Sequence, residues 1–466
     1  MFKNRIDEWF EHLCDEYGEG GSDKRCILEN VIVHSPNVSI IRPLRNNAPC
    51  IRRTNLAIHC PIGETLMEFT KEKVDSIQFW VLNVASFLAQ LTIAMVNLAM
   101  VYHLRGFFHL TADKIGIAAS ISTAAYLLFC ILLSPYTVHF KPRNLVETSL
   151  LGMAVSVAVF ASTSKIALAY ASLAFYGAFM SLLWPQIEGW FSRGKEGKQL
   201  SHVSNAFNFS WSSGVGVSSF VAGVLVERST TLPFWVSVAL FLLVFLMIAT
   251  SSALVPGIRA MKSEKEENLA SDKIDESTPL RYYCWVGVII LYTGMSVILT
   301  IFPLYAQDVL LISESLTGLL LLFRGVATCI SFLLLGRFGF WHFKKRYIFL
   351  VQILFGLSCL ILTGFSSMLS YGLFFLLFGI LFALAYAQSM FHGASGSINR
   401  SQRMIVHEVL LTVGTIIGAV LGGYLYETFS FTLVLLSIGT GTLVVVALEL
   451  IVALAVKRRI VAFWGA

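Results

Sequence analysis

The sequence has little charge for its length. Of its 466 residues, 13% are charged and 56% are hydrophobic, with a mean hydropathy of +0.73. About 20 apolar residues in a helix cross a bilayer core of ~30 Å. Runs of this length recur twelve times between Gln78 and Val456. The sequence therefore predicts an all-α polytopic membrane protein with twelve transmembrane helices, numbered here as spans 1 to 12.

Motifs of nucleotide and zinc enzymes are also missing. No GxxxxGKS, HExxH or GxGxxG occurs, so we expect neither enzymatic activity nor a cofactor or metal. The eight cysteines form no CxxC pair and no zinc-type spacing, which indicates reduced thiols. One GASG stretch ends at Gly396, a form found in intramembrane serine proteases, but Ser395 falls in a predicted loop, which favours a polar turn.

The placement of lysine and arginine predicts the topology. Loops after even-numbered spans, with the C-terminal tail, hold 19 of these residues, whereas loops after odd-numbered spans hold 4. By the positive-inside rule, both termini are predicted to be cytoplasmic. This topology also accounts for the net charge of +6, so nucleic acid is not an expected partner.

Changes in polarity divide the chain into five predicted parts. Residues 1–77 are a cytoplasmic N-terminal extension with no persistent hydrophobic period, and 78–255 are a first bundle of six spans. Residues 256–281 are a charged linker free of aromatic residues up to Pro279. A second six-span bundle covers 282–456, and a cytoplasmic tail covers 457–466.

Polar residues recur on one face of several predicted spans. In span 1 these are Asn83, Ser86, Gln90 and Asn97, and in span 7 (Tyr282–Tyr305) they are Tyr292, Ser296 and Thr300. Such faces either line a cavity or form hydrogen bonds between helices. Span 4 (Ile166–Ile187) brings Trp184 and Gln186 towards the same cavity, whereas we interpret Glu188 as an interfacial anion near Arg193.

The two halves repeat each other at an offset of about 200 residues. Gly214, Ser218 and Ala222 of span 5 are equivalent in position to Gly414, Gly418 and Gly422 of span 11. At an offset of 202, Trp184 and Gln186 are equivalent in position to Tyr386 and Gln388, and Gly116 is equivalent to Gly318. The repeat predicts two pseudo-symmetric six-helix bundles with a binding site between them.

Together these features resemble the major facilitator superfamily over residues 78–456. Basic loops at 136–144 and 336–346 stand where that superfamily has its GxxxDRxGRR signature, although no aspartate occurs in either loop. The resemblance implies a secondary transporter that works by alternating access. It also implies a central site lined by spans 1, 4, 7 and 10. Spans 2, 5, 8 and 11 would then form the contact between the two halves, here called the seam.

Arg324 stands near the middle of the hydrophobic segment Thr317–Gly339. A guanidinium at membrane depth costs about 3 kcal/mol on insertion scales, so it is expected to have a function. It could bind a carboxylate or phosphate of a substrate. It could instead pair with Glu408, which lies beside His407 and would then serve in coupling or gating. A purely structural arginine is the third alternative.

The leading hypothesis is a secondary transporter for a small organic anion in the cytoplasmic membrane. Efflux of drug-like amphipathic compounds and sugar uptake are the alternatives within transport, and a membrane receptor or an intramembrane protease lies outside it. A co-transported proton or other ion is a possible partner besides the bilayer. The candidate substrate-binding residues are Arg324, Gln90, Asn97, Asn205, Asn208, Trp184, Tyr292, Ser296, Tyr386 and Gln388, with Glu408 and His407 as candidates for coupling or gating.

Overall fold

Helices make up nearly all of the described chain. The computed structural model describes residues 71–137, 139–192, 197–254, 277–396 and 400–464 and contains no strand within them. The helices are α1 (Lys71–Gly106), α2 (Ala112–Thr137), α3 (Pro142–Ser162), α4 (Ile166–Met180), α5 (Trp184–Ser192), α6 (Gly197–Arg228), α7 (Leu232–Leu254), α8 (Leu280–Thr300), α9 (Phe302–Asp308), α10 (Glu314–Arg337), α11 (Lys345–Leu362), α12 (Met368–Ala394), α13 (Arg400–Thr428) and α14 (Phe431–Trp464). Twelve segments of the described residues are long and apolar enough to span a membrane, which confirms the predicted all-α architecture.

Two of the predicted spans are interrupted. The fourth consists of α4 and α5 separated by a turn, and the seventh consists of α8 and α9. Pro185 and Pro303 stand in the first turns of α5 and α9, where a missing N–H group is tolerated. Inside a continuous helix each proline would remove a hydrogen bond and clash with the preceding turn, so the helix ends and a new one begins.

The two halves of the chain have the same backbone conformation at one end. His109 and Leu311, 202 residues apart, both adopt a left-handed conformation, with φ of 51° and 54°. The next residues donate equivalent hydrogen bonds, from Leu110 N to Leu104 O at 3.0 Å and from Ile312 N to Ala306 O at 3.1 Å. A strained conformation repeated at one offset confirms the two pseudo-symmetric bundles.

Small residues let helices of the two halves touch through their backbones. A Cβ built on Gly116 of α2 would lie 2.1 Å from the Ala419 carbonyl oxygen of α13. The matching Cβ on Gly318 of α10 would lie 2.4 Å from the Ser219 carbonyl oxygen of α6. These contacts join α2 to α13 and α6 to α10, the spans 2, 11, 5 and 8 that the resemblance places at the seam between the halves. Van der Waals packing of this kind drives helix association in lipid.

Candidate functional site

A cavity of about 790 Å³ lies between the two halves. Its lining includes the ends of α2 and α5 and the start of α13, so it opens at the end that carries the basic loops, here called the basic end. The opposite end, where α1 meets α2 and α9 meets α10, is here called the closed end. There the halves are joined by an ion pair of 2.8 Å between Arg105 Nη2 and Asp308 Oδ2.

Aromatic rings form much of the cavity wall. Trp211 of α6 stands edge-on to Tyr386 of α12, with ring centroids 5.9 Å apart, and so connects the two halves. Tyr292 lies 6.5 Å from the Tyr386 ring, and Trp184 lies 6.2 Å from the Phe207 ring. All five residues line the cavity. Such a wall suits ligands with flat or apolar bodies, because aromatic rings provide large contact areas.

Two carboxylates face the cavity, one from each half. Glu188 lies on α5 and Glu408 lies on α13, and the two are close enough to interact electrostatically. Glu188 therefore lines the cavity, while Arg193, beside which we expected it, lies outside the described residues. The described lining residues include no lysine or arginine, so the fixed charge on the cavity wall is negative or neutral.

His407 also lines the cavity, and its ring is held from two sides. Its Nδ1 lies 2.7 Å from the Ser389 hydroxyl, and the ring meets the Tyr386 ring edge-on at 5.1 Å. Within the part of the chain that the structure describes, the buried Nε2 has no hydrogen-bond partner. The ring is therefore oriented by the protein while one nitrogen stays available.

Arg324 is buried beside the cavity rather than in its wall. Its side chain is 1% exposed and donates from Nη1 to the sulfur of Met295 at 3.1 Å, while Nε and Nη2 have no partner among the described residues. Among the described residues no carboxylate lies within 4.0 Å of the guanidinium, so the alternative pair with Glu408 is not formed in this conformation. Tyr292, which lines the cavity, is close enough to interact electrostatically with Arg324.

Of the other predicted residues, Gln90, Trp184, Asn208, Tyr292 and Tyr386 line the cavity. Asn97 does not, because it lies two helical turns beyond Gln90 towards the closed end, where its side chain is exposed. Ser296 is buried where α8 packs against α13, with a Cβ on Gly418 2.8 Å from its own Cβ.

Gln388 differs from the expectation for a geometric reason. Gln388 does not line the cavity, because two residues along the continuous helix α12 correspond to a rotation of about 200° from Tyr386, which does. Its side chain is 2% exposed. The side chain of Asn205 lies outside the described residues.

Several lining residues were missed by the sequence analysis, namely Tyr126, Cys130, Phe207, Trp211 and Met390. Helical spacing from the predicted residues could have indicated some of these positions. Glu188 follows Trp184 by four residues, and Trp211 follows Asn208 by three, so each pair shares a face. For Trp211 the pairing is direct, because its Nε1 donates to Asn208 Oδ1 at 3.1 Å.

Comparisons with known proteins agree with this geometry. The family model described as Major Facilitator Superfamily matches residues 82–390 and 284–461. The structure is similar to the peptide transporter POT in complex with sulfate (14% identity, 84% of this chain and 99% of that chain, TM-score 0.62). It is also similar to a POT family transporter in complex with 5-aminolevulinic acid (12%, 80% and 95%, 0.62) and to the nucleoside transporter NupG (11%, 79% and 97%, 0.61). Comparison with curated proteins finds no match.

Proposed function

This chain belongs to the Major Facilitator Superfamily, and from that premise we propose what kind of solute it moves. Such proteins are membrane transporters and not enzymes, and alternating access is consistent with the fold. We propose that the cavity binds a small amphipathic solute with an aromatic or apolar body, which crosses the membrane as the two halves rock about it.

The chemistry of the cavity wall carries this proposal. Aromatic rings from both halves surround a space large enough for a drug-sized molecule, and such pockets are usually apolar with few polar groups. The described wall presents the carboxylates Glu188 and Glu408 and no cationic side chain. The Glu408 carboxylate would repel an anion, whereas it would attract a positively charged amphipathic solute and leave a neutral one unaffected.

An organic anion bound by Arg324 is the second candidate. It is favoured by the two unpartnered guanidinium nitrogens, since a buried charge without partners is costly. Arg324 would have to reach the cavity past Tyr292. Glu408 and His407 are proposed to couple transport to an ion gradient. The protein is proposed to lie in the cytoplasmic membrane with both chain termini on the cytoplasmic side.

A thermal-shift screen tests the proposal, because a ligand that binds the native state raises its apparent stability. The purified protein is screened against hydrophobic amines, neutral aromatic compounds, sugars, phosphates and carboxylates. We expect stabilisation by the first two classes, abolished by Trp211→Ala. The matched control is Trp235→Ala, because Trp235 is 48% exposed on α7 and does not line the cavity. Stabilisation by carboxylates alone, lost in Arg324→Gln, would establish the second candidate instead.

A further inference from the structure

Two glutamates join the halves at the closed end, far from the cavity. Glu427, near the end of α13, accepts a hydrogen bond from Ala112 N at 2.8 Å, and Ala112 is the first residue of α2. Glu227, near the end of α6, accepts from Ser315 N at 3.0 Å and from the Ser315 hydroxyl at 2.6 Å. Ser315 lies in the first turn of α10. Each carboxylate thus caps a helix of the opposite half.

A glycine one turn before each glutamate brings the backbones together. A Cβ built on Gly423 would lie 2.6 Å from the Ala112 carbonyl oxygen, and one built on Gly223 would lie 2.2 Å from the Glu314 carbonyl oxygen. The segments read GYLYE and GVLVE and lie 200 residues apart. The same Gly-x-x-x-Glu arrangement is therefore built twice, once across each seam.

These contacts suit a reversible closure. The first N–H groups of a helix have no partner within the helix, and the positive end of the helix dipole attracts a carboxylate. Both glutamate side chains are exposed, so water can replace either contact when the halves separate. Because each contact joins residues of different halves, opening of this end must break both.

We propose that Glu227 and Glu427 form a pair of latches that hold this end closed while the cavity is open at the basic end. The two latches are related by the repeat but differ in detail, because Glu227 accepts two hydrogen bonds from Ser315 and Glu427 accepts one from Ala112. The Arg105–Asp308 ion pair adds a third contact between the halves. The repeat does not duplicate it, because the residue equivalent to Arg105 in the second half is the uncharged Gln307. The inference concerns the closed end and does not depend on the class of solute.

Alkylation of cysteines by N-ethylmaleimide tests the latches, with each site followed by peptide mass spectrometry so that the native cysteines stay in place. Thr317→Cys reports opening of the closed end, because Thr317 is 1% exposed near the start of α10. Cys130, which lines the cavity, reports the basic end. We expect Glu227→Gln and Glu427→Gln each to raise the Thr317→Cys rate about two- to fivefold, and about tenfold together, without raising the Cys130 rate.

Glu147→Gln is the matched control, because Glu147 pairs with Arg143 at 3.7 Å within one half and should leave both rates unchanged. If the variants lower the melting temperature and leave the Thr317→Cys rate unchanged, the glutamates only cap helices and the proposal is wrong. A parallel rise at Thr317→Cys and Cys130 would indicate general loosening and would also overturn it.

Discussion

The two halves of the molecule match in the backbone contacts within each half and differ in the side chains that they present to the cavity. Gly177 on α4 and Gly379 on α12 lie 202 residues apart, and a Cβ on either would meet a carbonyl oxygen of the neighbouring helix, at 1.9 Å and 2.4 Å. Those carbonyls belong to Ser122 and Arg324, so the same backbone contact carries a small side chain in one half and a long cation in the other.

The cavity wall shows the same contrast. At the position of Glu188 the second half has Met390, and at the position of Glu408 the first half has Asn208. All four residues line the cavity. The repeat therefore preserves the backbone contacts on which each half is built, while the two halves present different side chains to the cavity.

The largest expected effect tests the shared packing. Gly177→Ala and Gly379→Ala each place a methyl group against backbone, and we expect a loss of about 3 kcal/mol in the free energy of unfolding. Thermal unfolding in detergent measures it. Gly441→Ala is the control, because no atom lies within 4 Å of a Cβ there and alanine should slightly stabilise the helix. Tolerance of either substitution would contradict the close packing.

Arg324→Met probes the charge that has no counterpart in the first half. Because the guanidinium is buried with two unpartnered nitrogens, an apolar side chain of similar length should raise the free energy of unfolding by about 1–2 kcal/mol. Chemical or thermal unfolding measures the change. Arg337→Met at the exposed end of the same helix should stay within about 0.5 kcal/mol of the parent. Destabilisation by Arg324→Met would mean that the native state gives this cation a partner.

The acidic residues of the cavity should set the preference for charge. We expect Glu408→Gln to weaken binding of cationic amphipathic compounds about tenfold, or ~1.4 kcal/mol, through loss of charge attraction. Binding of matched neutral compounds should change less than about twofold. Titration of tryptophan fluorescence measures both affinities, with Glu147→Gln as the control outside the cavity. Equal losses for cationic and neutral ligands would argue for a change in shape instead.

An exchange between the halves should have the smallest effect. Asn208→Glu combined with Glu408→Asn moves the acid to the matching position of the repeat. Trp211 Nε1 can still donate to a carboxylate at position 208, as it now donates to the asparagine. We expect affinity for cationic ligands within about threefold of the parent, measured by the same titration. A loss of more than tenfold would show that the second half alone must supply this charge.

Most of the fold followed from the sequence because lipid leaves few choices. The length of the apolar runs predicted the twelve spans and the 200-residue repeat predicted the two bundles, while the helices at the seam followed from the resemblance to the superfamily. The interruptions before Pro185 and after Thr300 were not predicted, since proline is also tolerated within transmembrane helices. The residues around a proline do not by themselves determine whether the helix continues through it or is interrupted.

The cavity was predicted less completely, because a polar face does not reveal its depth or its partner. Asn97 shares a face with Gln90 but lies beyond the cavity. Gln388 was chosen through its match with Gln186, although helical rotation directs it away from Tyr386. The Arg324 side chain lies outside the wall, where Nη1 donates to the sulfur of Met295, and its depth could not be read from the helical spacing.

Because Glu227 and Glu427 are both exposed, their attraction to the helix ends acts partly through the surrounding solution. The Debye length shortens from about 30 Å at 0.01 M ionic strength to about 8 Å at 0.15 M and about 3 Å at 1 M. A change in the ionic strength at that surface would therefore shift the balance between the two conformations. The composition of the bathing medium would act as an effector of this protein without occupying any binding site.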